Sequence, residues 1–313
     1  MLNVTDMHFL KLIRIQNLLL IALMQLLMRY GFMDLQGIPL ALTDFQYALL
    51  VLATVCLAAG GYLINDLHDR ETDAYNRPNR ALVIGKITEG TAYNAYMAFN
   101  VIGVGIGFYL SNLIERPGFA LLFVTVSATL YLYATNFKQT LLIGNILVAL
   151  LLGLSVVIVG IFDLLPMVNG QNQQAMQLYF SVLLDYAIFA CVINLIREII
   201  KDLEDVNGDY NQGMNTLPIA LGVDRTARLV FFFTILPIAG LLYYVKTNYM
   251  DNELYIASLY ALIFVVAPLV YFFVKIWTAQ QKKEFRHLQQ VLKLIIFFGV
   301  LSILVVTLNI KYA

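Results

Sequence analysis

Charge is what this chain has least of. Only 13% of its 313 residues are charged, where a soluble domain carries about 25%; 60% belong to the hydrophobic set, and mean hydropathy is +0.77. Neither sign is in excess, because twenty Lys+Arg balance twenty Asp+Glu. There is thus no basic footprint for nucleic acid, which is excluded as a partner, and no acidic solvating tail. Cysteine is nearly absent. Cys56 and Cys191 sit far apart in apolar runs, which excludes a disulfide framework and a CxxC pair and leaves packing as their role. The three histidines, His8, His68 and His287, have neither triad nor metal spacing.

What the chain does have is long apolar runs. A membrane-crossing helix needs about 20 such residues, a barrel strand about 10 of alternating polarity. Nine runs are of helical length: 15–33, 45–64, 91–113, 118–135, 141–162, 178–199, 227–246, 253–276 and 291–310. The expected fold class is all-α, a polytopic membrane protein with nine transmembrane helices forming one integral domain over 1–313. The first run follows Lys11 and Arg14 as a signal core would, but it is too long for one and lacks a small-residue cleavage site, so it counts as a span. Lys and Arg gather in cytoplasmic loops. With the N-terminus in the cytoplasm, every cation except Arg29, Arg116, Lys246 and Lys311 falls inside. The N-terminus and the polar loops are therefore expected in the cytoplasm and the C-terminus outside; in a bacterium the host would be the inner membrane. Trp277 beside Lys275, Lys282 and Lys283 reads as an interfacial anchor.

Two cytoplasmic segments, about 65–90 and 197–226, hold most of the polar chemistry. The first contains Asn65-Asp66-x-x-Asp69-x-x-x-Asp73 and the second Asp202-x-x-Asp205-x-x-x-Asp209, the same DxxDxxxD pattern repeated 136 residues on. Offsets of three and seven place each set of carboxylates on one helical face, where like charges repel and oppose the helix dipole. Something cationic should sit there. A calcium loop starting at Asp205 fails at Tyr210, where glycine is needed, and at Thr216, where a bidentate Glu is needed. Zinc fails for want of Cys and His. All-oxygen donors favour Mg²⁺, which keeps few protein ligands and binds together with substrate phosphates. Arg70, Arg77, Arg80, Lys138, Arg197 and Lys201 stand close enough in sequence to receive those phosphates, although each alone reads as a positive-inside anchor. A transporter gated by cations would instead carry polar residues along several spans, and the mid-span regions here are sparse in them. Asp185 is the exception, an acid inside a span, for which a polar neighbour such as Tyr186 is expected.

These residues resemble the UbiA superfamily of intramembrane prenyltransferases, whose two aspartate motifs match Asn65 to Asp73 and Asp202 to Asp209. Within it, Asn76 to Arg80, Arg197 to Asp205 and Thr216 to Ile219, with Lys138, Gly144-Asn145, Arg14 and Asn17, are similar to the archaeal-type digeranylgeranylglyceryl phosphate synthases. The resemblance implies a helical bundle around a central lipid-filled cavity, capped on the cytoplasmic side by the motif loops. It implies Mg²⁺-dependent transfer of a prenyl group from a polyprenyl diphosphate to a lipophilic acceptor in the membrane. That acceptor would be geranylgeranylglyceryl phosphate in ether lipid synthesis or, alternatively, an aromatic ring such as 4-hydroxybenzoate in quinone synthesis. On this reading Asp66, Asp69, Asp202 and Asp205 are the leading metal ligands and, with Lys201, catalytic. Asp73 and Asp209 are further ligands. Asn65, Arg77, Arg80, Lys138, Arg197, Asn194, Arg14 and Asn17 would bind substrate, Asn194 alternatively making an interhelical hydrogen bond.

Overall fold

The computed structural model describes residues 9–70 and 88–312. Among them, nine helices are long and apolar enough to cross a membrane, and no strand is present. They are α1 (Ile15–Gln36), α2 (Asp44–His68), α3 (Glu89–Leu113), α4 (Pro117–Thr135), α5 (Ile143–Met167), α6 (Gln173–Asn211), α7 (Val223–Asn252), α8 (Tyr255–Ile276) and α9 (Lys282–Tyr312). Each predicted run has become one helix. Two extend well beyond their apolar runs: α6 continues for twelve residues past 199, and α9 begins nine residues before 291. The segment from 197 to 211, expected as part of a loop, is therefore helical. At 1.5 Å per residue α6 is about twice as long as the hydrocarbon core is thick, so its last turns stand clear of the membrane.

Local sequence explains the helix ends. Thr43 and Gln46 form a reciprocal capping box at the start of α2, and Thr88 caps α3 through the Thr91 amide; each satisfies N–H groups that an apolar end would leave bare. One core cluster joins α1, α2, α4, α5 and the first half of α6 around Tyr47, Phe123 and Phe162. A second joins the later part of α6 to α7, α8 and α9 around Phe272, Phe285 and Leu292.

Two polar faces close the bundle. On one, Arg286 at the start of α9 donates to Glu204 near the end of α6 at 3.0 Å, and Arg70 pairs with Glu89 between α2 and α3. This is the face that carries the acid motifs. On the other, the buried Arg29 donates two hydrogen bonds to Asp163 at 3.0 and 2.8 Å and one to the Leu42 carbonyl at 2.7 Å. Its guanidinium lies over the Tyr47 ring. Around Arg29 the α1 backbone widens to a π-type turn over Leu27–Met33, a shape that re-aims side chains at the cost of regular packing.

Candidate active site

The acid motifs meet at the mouth of a cavity that runs into the bundle between α1, α2, α4, α5 and α6. Its free interior volume is about 140 Å³. Arg14, Asn17, Tyr62, Asn65, Arg197 and Lys201 line the polar end, while Leu57, Phe123, Leu154 and Ile158 line the apolar one. An amphipathic ligand with an anionic head fits this polarity.

Asp66, Asp69 and Asp202 are each held by the chain itself. Asp66 accepts from Arg14 at 3.0 Å, and the Arg14 guanidinium stacks on Tyr62, 4.7 Å from the ring centre. Arg14 adopts left-handed backbone angles, φ 53° and ψ 53°, which for a side chain with a Cβ costs about 1 kcal/mol or more. That bend ends the approach to α1 and turns the guanidinium toward the mouth. Asp69 accepts from Asn65 at 2.6 Å and from Lys138. Burial disfavours the Asp69 charge, but Lys138, with Lys201 and Arg14 nearby, outweighs it and holds this carboxyl below the usual carboxylate range. Lys138 reaches so far because its short connection lies directly on Gly144. A Cβ there would stand 2.8 Å from the Phe137 carbonyl oxygen.

On α6, Asp202 accepts from Asn145 at 2.7 Å, and Asp205 and Asp209 are buried beside it. Lys201 approaches Glu198 at 3.4 Å. Tyr133, whose surroundings include Lys201, Asp69 and Asp202, forms part of the wall.

The structure brings together Arg14, Asn17, Asn65, Asp66, Asp69, Lys138, Arg197, Lys201 and Asp202. Asp73, Arg77 and Arg80 lie outside the described residues. Asn194 does not line the cavity: its amide donates to the Ala190 carbonyl at 2.8 Å and its oxygen accepts from Arg197 at 3.2 Å, so it steadies Arg197 and makes no interhelical hydrogen bond. Asp185 is bonded by the Tyr244 hydroxyl, whereas Tyr186 turns to Ser302 at 2.9 Å. Sequence reasoning gave no role to Tyr62, Tyr133 or Glu198. It noted Asn145 only for its likeness to related proteins. A single Asn just inside an apolar run was the available signal for Asn145, while Tyr62 and Tyr133 were hidden among 19 tyrosines.

Whether these residues suit a divalent cation depends on donor chemistry. Among the described residues no three His, Cys, Asp or Glu side chains stand close enough to share one ion. Mg²⁺ does not need such a cage, since one or two carboxylates plus phosphate oxygens suffice. The donors at the mouth are all oxygen, and Asn65 Oδ1 is buried without a hydrogen-bond partner. The set fits Mg²⁺ bound jointly with a diphosphate.

The sequence pattern of the UbiA prenyltransferase family matches residues 19–308. The chain belongs to that family. Other UbiA proteins agree along its length. A digeranylgeranylglyceryl phosphate synthase of Thermococcus gammatolerans is 32% identical over 83% of this chain and 86% of its own. One of Methanopyrus kandleri is 37% identical over 59% of this chain. The chain spans 60% of the length of that relative and 62% of one from Methanothermobacter thermautotrophicus. Among solved folds, a UbiA homolog from Aeropyrum pernix covers 99% of the chain with a TM-score of 0.64 at 15% identity. One from Archaeoglobus fulgidus bound to GPP and Mg²⁺ covers 95% with 0.58 at 16%. The nine-helix UbiA architecture is therefore that of this integral membrane protein.

Proposed function

We propose that the protein transfers a prenyl group from a polyprenyl diphosphate to a lipophilic acceptor, with geranylgeranyl as the group and geranylgeranylglyceryl phosphate as the acceptor. The observation that carries this reading is the meeting of two DxxD pairs and the cationic rim of Arg14, Lys138, Arg197 and Lys201 above an apolar cavity. The relatives named digeranylgeranylglyceryl phosphate synthase support the choice of acceptor.

Asp66 and Asp69 from the first motif and Asp202 and Asp205 from the second would hold Mg²⁺, one or two carboxylates to an ion with phosphate oxygens alongside, and with Asn65, Asp73 and Asp209 as direct or water-mediated partners. When bound, the metal neutralises charge that develops on the departing diphosphate. Arg14, Lys138, Arg197 and Lys201 hold phosphate oxygens, as do Arg77 and Arg80 from the first motif segment. Arg14 and Lys138 each turn from a carboxylate to a phosphate as the substrate enters. Tyr62 and Tyr133 line the wall past which the allylic carbon lies, offering aromatic faces to its positive charge. The apolar depth of the cavity takes the isoprenoid tail and keeps water from the cation. By the distribution of Lys and Arg, the motif face is cytoplasmic.

The test is Mg²⁺-dependent transfer by the purified protein from geranylgeranyl diphosphate, with geranylgeranylglyceryl phosphate and 4-hydroxybenzoate offered separately. Ether product from the glyceryl phosphate alone is expected. Transfer to the aromatic acid alone would refute the acceptor, and transfer to neither would refute the reading.

A further inference from the structure

Glu198 is the one carboxylate among the described residues that line the cavity. The motif carboxylates among the described residues, Asp66, Asp69, Asp202, Asp205 and Asp209, stand at or above the mouth. Glu198 is four residues before Asp202, about 6 Å deeper along α6, and is 8% exposed. Three cations stand around it, Lys201 at 3.4 Å with Arg197 and Arg14; Tyr133 is also near, and Asp202 is the acid it faces one turn on. It therefore lies just below the diphosphate level, where a prenyl C1 would point into the bundle. A buried acid at the polar end of an otherwise apolar cavity is costly unless it is used or paired.

Resting on the proposed prenyl transfer, we infer that Glu198 is the proton acceptor for the nucleophile. The bond from C1 to the diphosphate oxygen breaks first, its electron pair leaving with the diphosphate, and a hydroxyl oxygen then attacks the allylic cation to form the C–O bond at C1. The oxygen that has gained a third bond must lose its proton. In an apolar cavity no bulk water receives it, and the motif acids are engaged with metal and cations. A Glu198 oxygen takes the proton and returns it to solvent through the mouth after the product leaves. Lys201 ties this step to substrate. In the structure it pairs with Glu198; when it moves to a phosphate oxygen, Glu198 loses its nearest cation and becomes a stronger base. Base strength thus rises only with donor in place.

The competing role is structural, Glu198 merely balancing Lys201 and Arg197. Glu198→Gln keeps the shape and hydrogen bonding and removes the base. The inference expects kcat for ether formation to fall about 100-fold or more, with KM for geranylgeranyl diphosphate within about twofold. Donor ionisation should persist, read as migration of ¹⁸O from the bridging to the non-bridging positions of recovered geranylgeranyl diphosphate. Formate should restore part of the turnover of Glu198→Ala. A fall in donor affinity parallel to kcat, or loss of ¹⁸O migration, would assign Glu198 to structure and overturn the inference. So would Glu198→Gln turning over within about fivefold of the unmodified protein. Failure of the unmodified protein to form ether would overturn the proposed function itself, so the two failures are distinguishable.

Discussion

Asn145 and Lys138 do the same work from two sides of one short connection, each holding a carboxylate of a different motif. Because the amide has no charge, Asn145 orients Asp202 without competing for a cation, and the outer partners of metal ligands are typically worth 10–100-fold in affinity or activity. Asn145→Leu is therefore expected to lower kcat/KM about tenfold or more and to raise the Mg²⁺ concentration for half-maximal rate, measured by titrating the metal at saturating donor. The ligands themselves should be less forgiving. Asp69→Ala and Asp205→Ala are expected to abolish turnover while the protein elutes as a folded, monodisperse species in detergent; Mg²⁺-dependent activity surviving in both would refute the ligand assignment. The acid residues were legible because their spacing repeats. Asn145, Glu198 and the tyrosines were not, since single polar or aromatic side chains in apolar runs carry no period and gain meaning only when helices far apart in sequence meet.

The helices show where reading by hydropathy ends. Nine apolar runs gave nine helices because the bilayer sets their minimum length. The extension of α6 through Asn211 and the early start of α9 at Lys282 escaped because those turns lie above the membrane, where charge is tolerated and apolar content no longer marks a helix. Opposite the motif face, Arg29 and Asp163 tie α1 to α5 by two charge-assisted hydrogen bonds. Removing one partner of such a buried pair strands the other, at about 3–5 kcal/mol. Asp163→Ala should lower the unfolding midpoint in detergent by several degrees or more, yet leave donor KM unchanged at low temperature, because the pair lies at the far end of α1 from Arg14. Gly144→Val tests the α4 to α5 connection. Its side chain would push against the Phe137 carbonyl and lift Lys138 away from Asp69, so donor KM should rise at least tenfold with little change in thermal midpoint.

For the molecule as a whole, the proposed sidedness rests on the distribution of cations and is checked directly. With Cys56 and Cys191 replaced by Ser, a single cysteine at Gly170 is expected to react with an impermeant maleimide in intact cells. One at Gln281 should react only after permeabilisation. The reverse pattern would place the acid motifs outside the cytoplasm.

The Arg29 pair also has a history in time. Its two partners are separated by 134 residues, so at about 5–20 residues per second the ribosome delivers Asp163 roughly 7 to 27 seconds after Arg29. Through that interval α1 carries a guanidinium with no buried counter-ion, and only the arrival of α5 makes its seat secure. Nascent chains stalled before α5 should be extracted from membranes more readily than the same chains carrying Arg29→Leu. The charge pair that locks the finished bundle would then also set the order in which the bundle can be assembled.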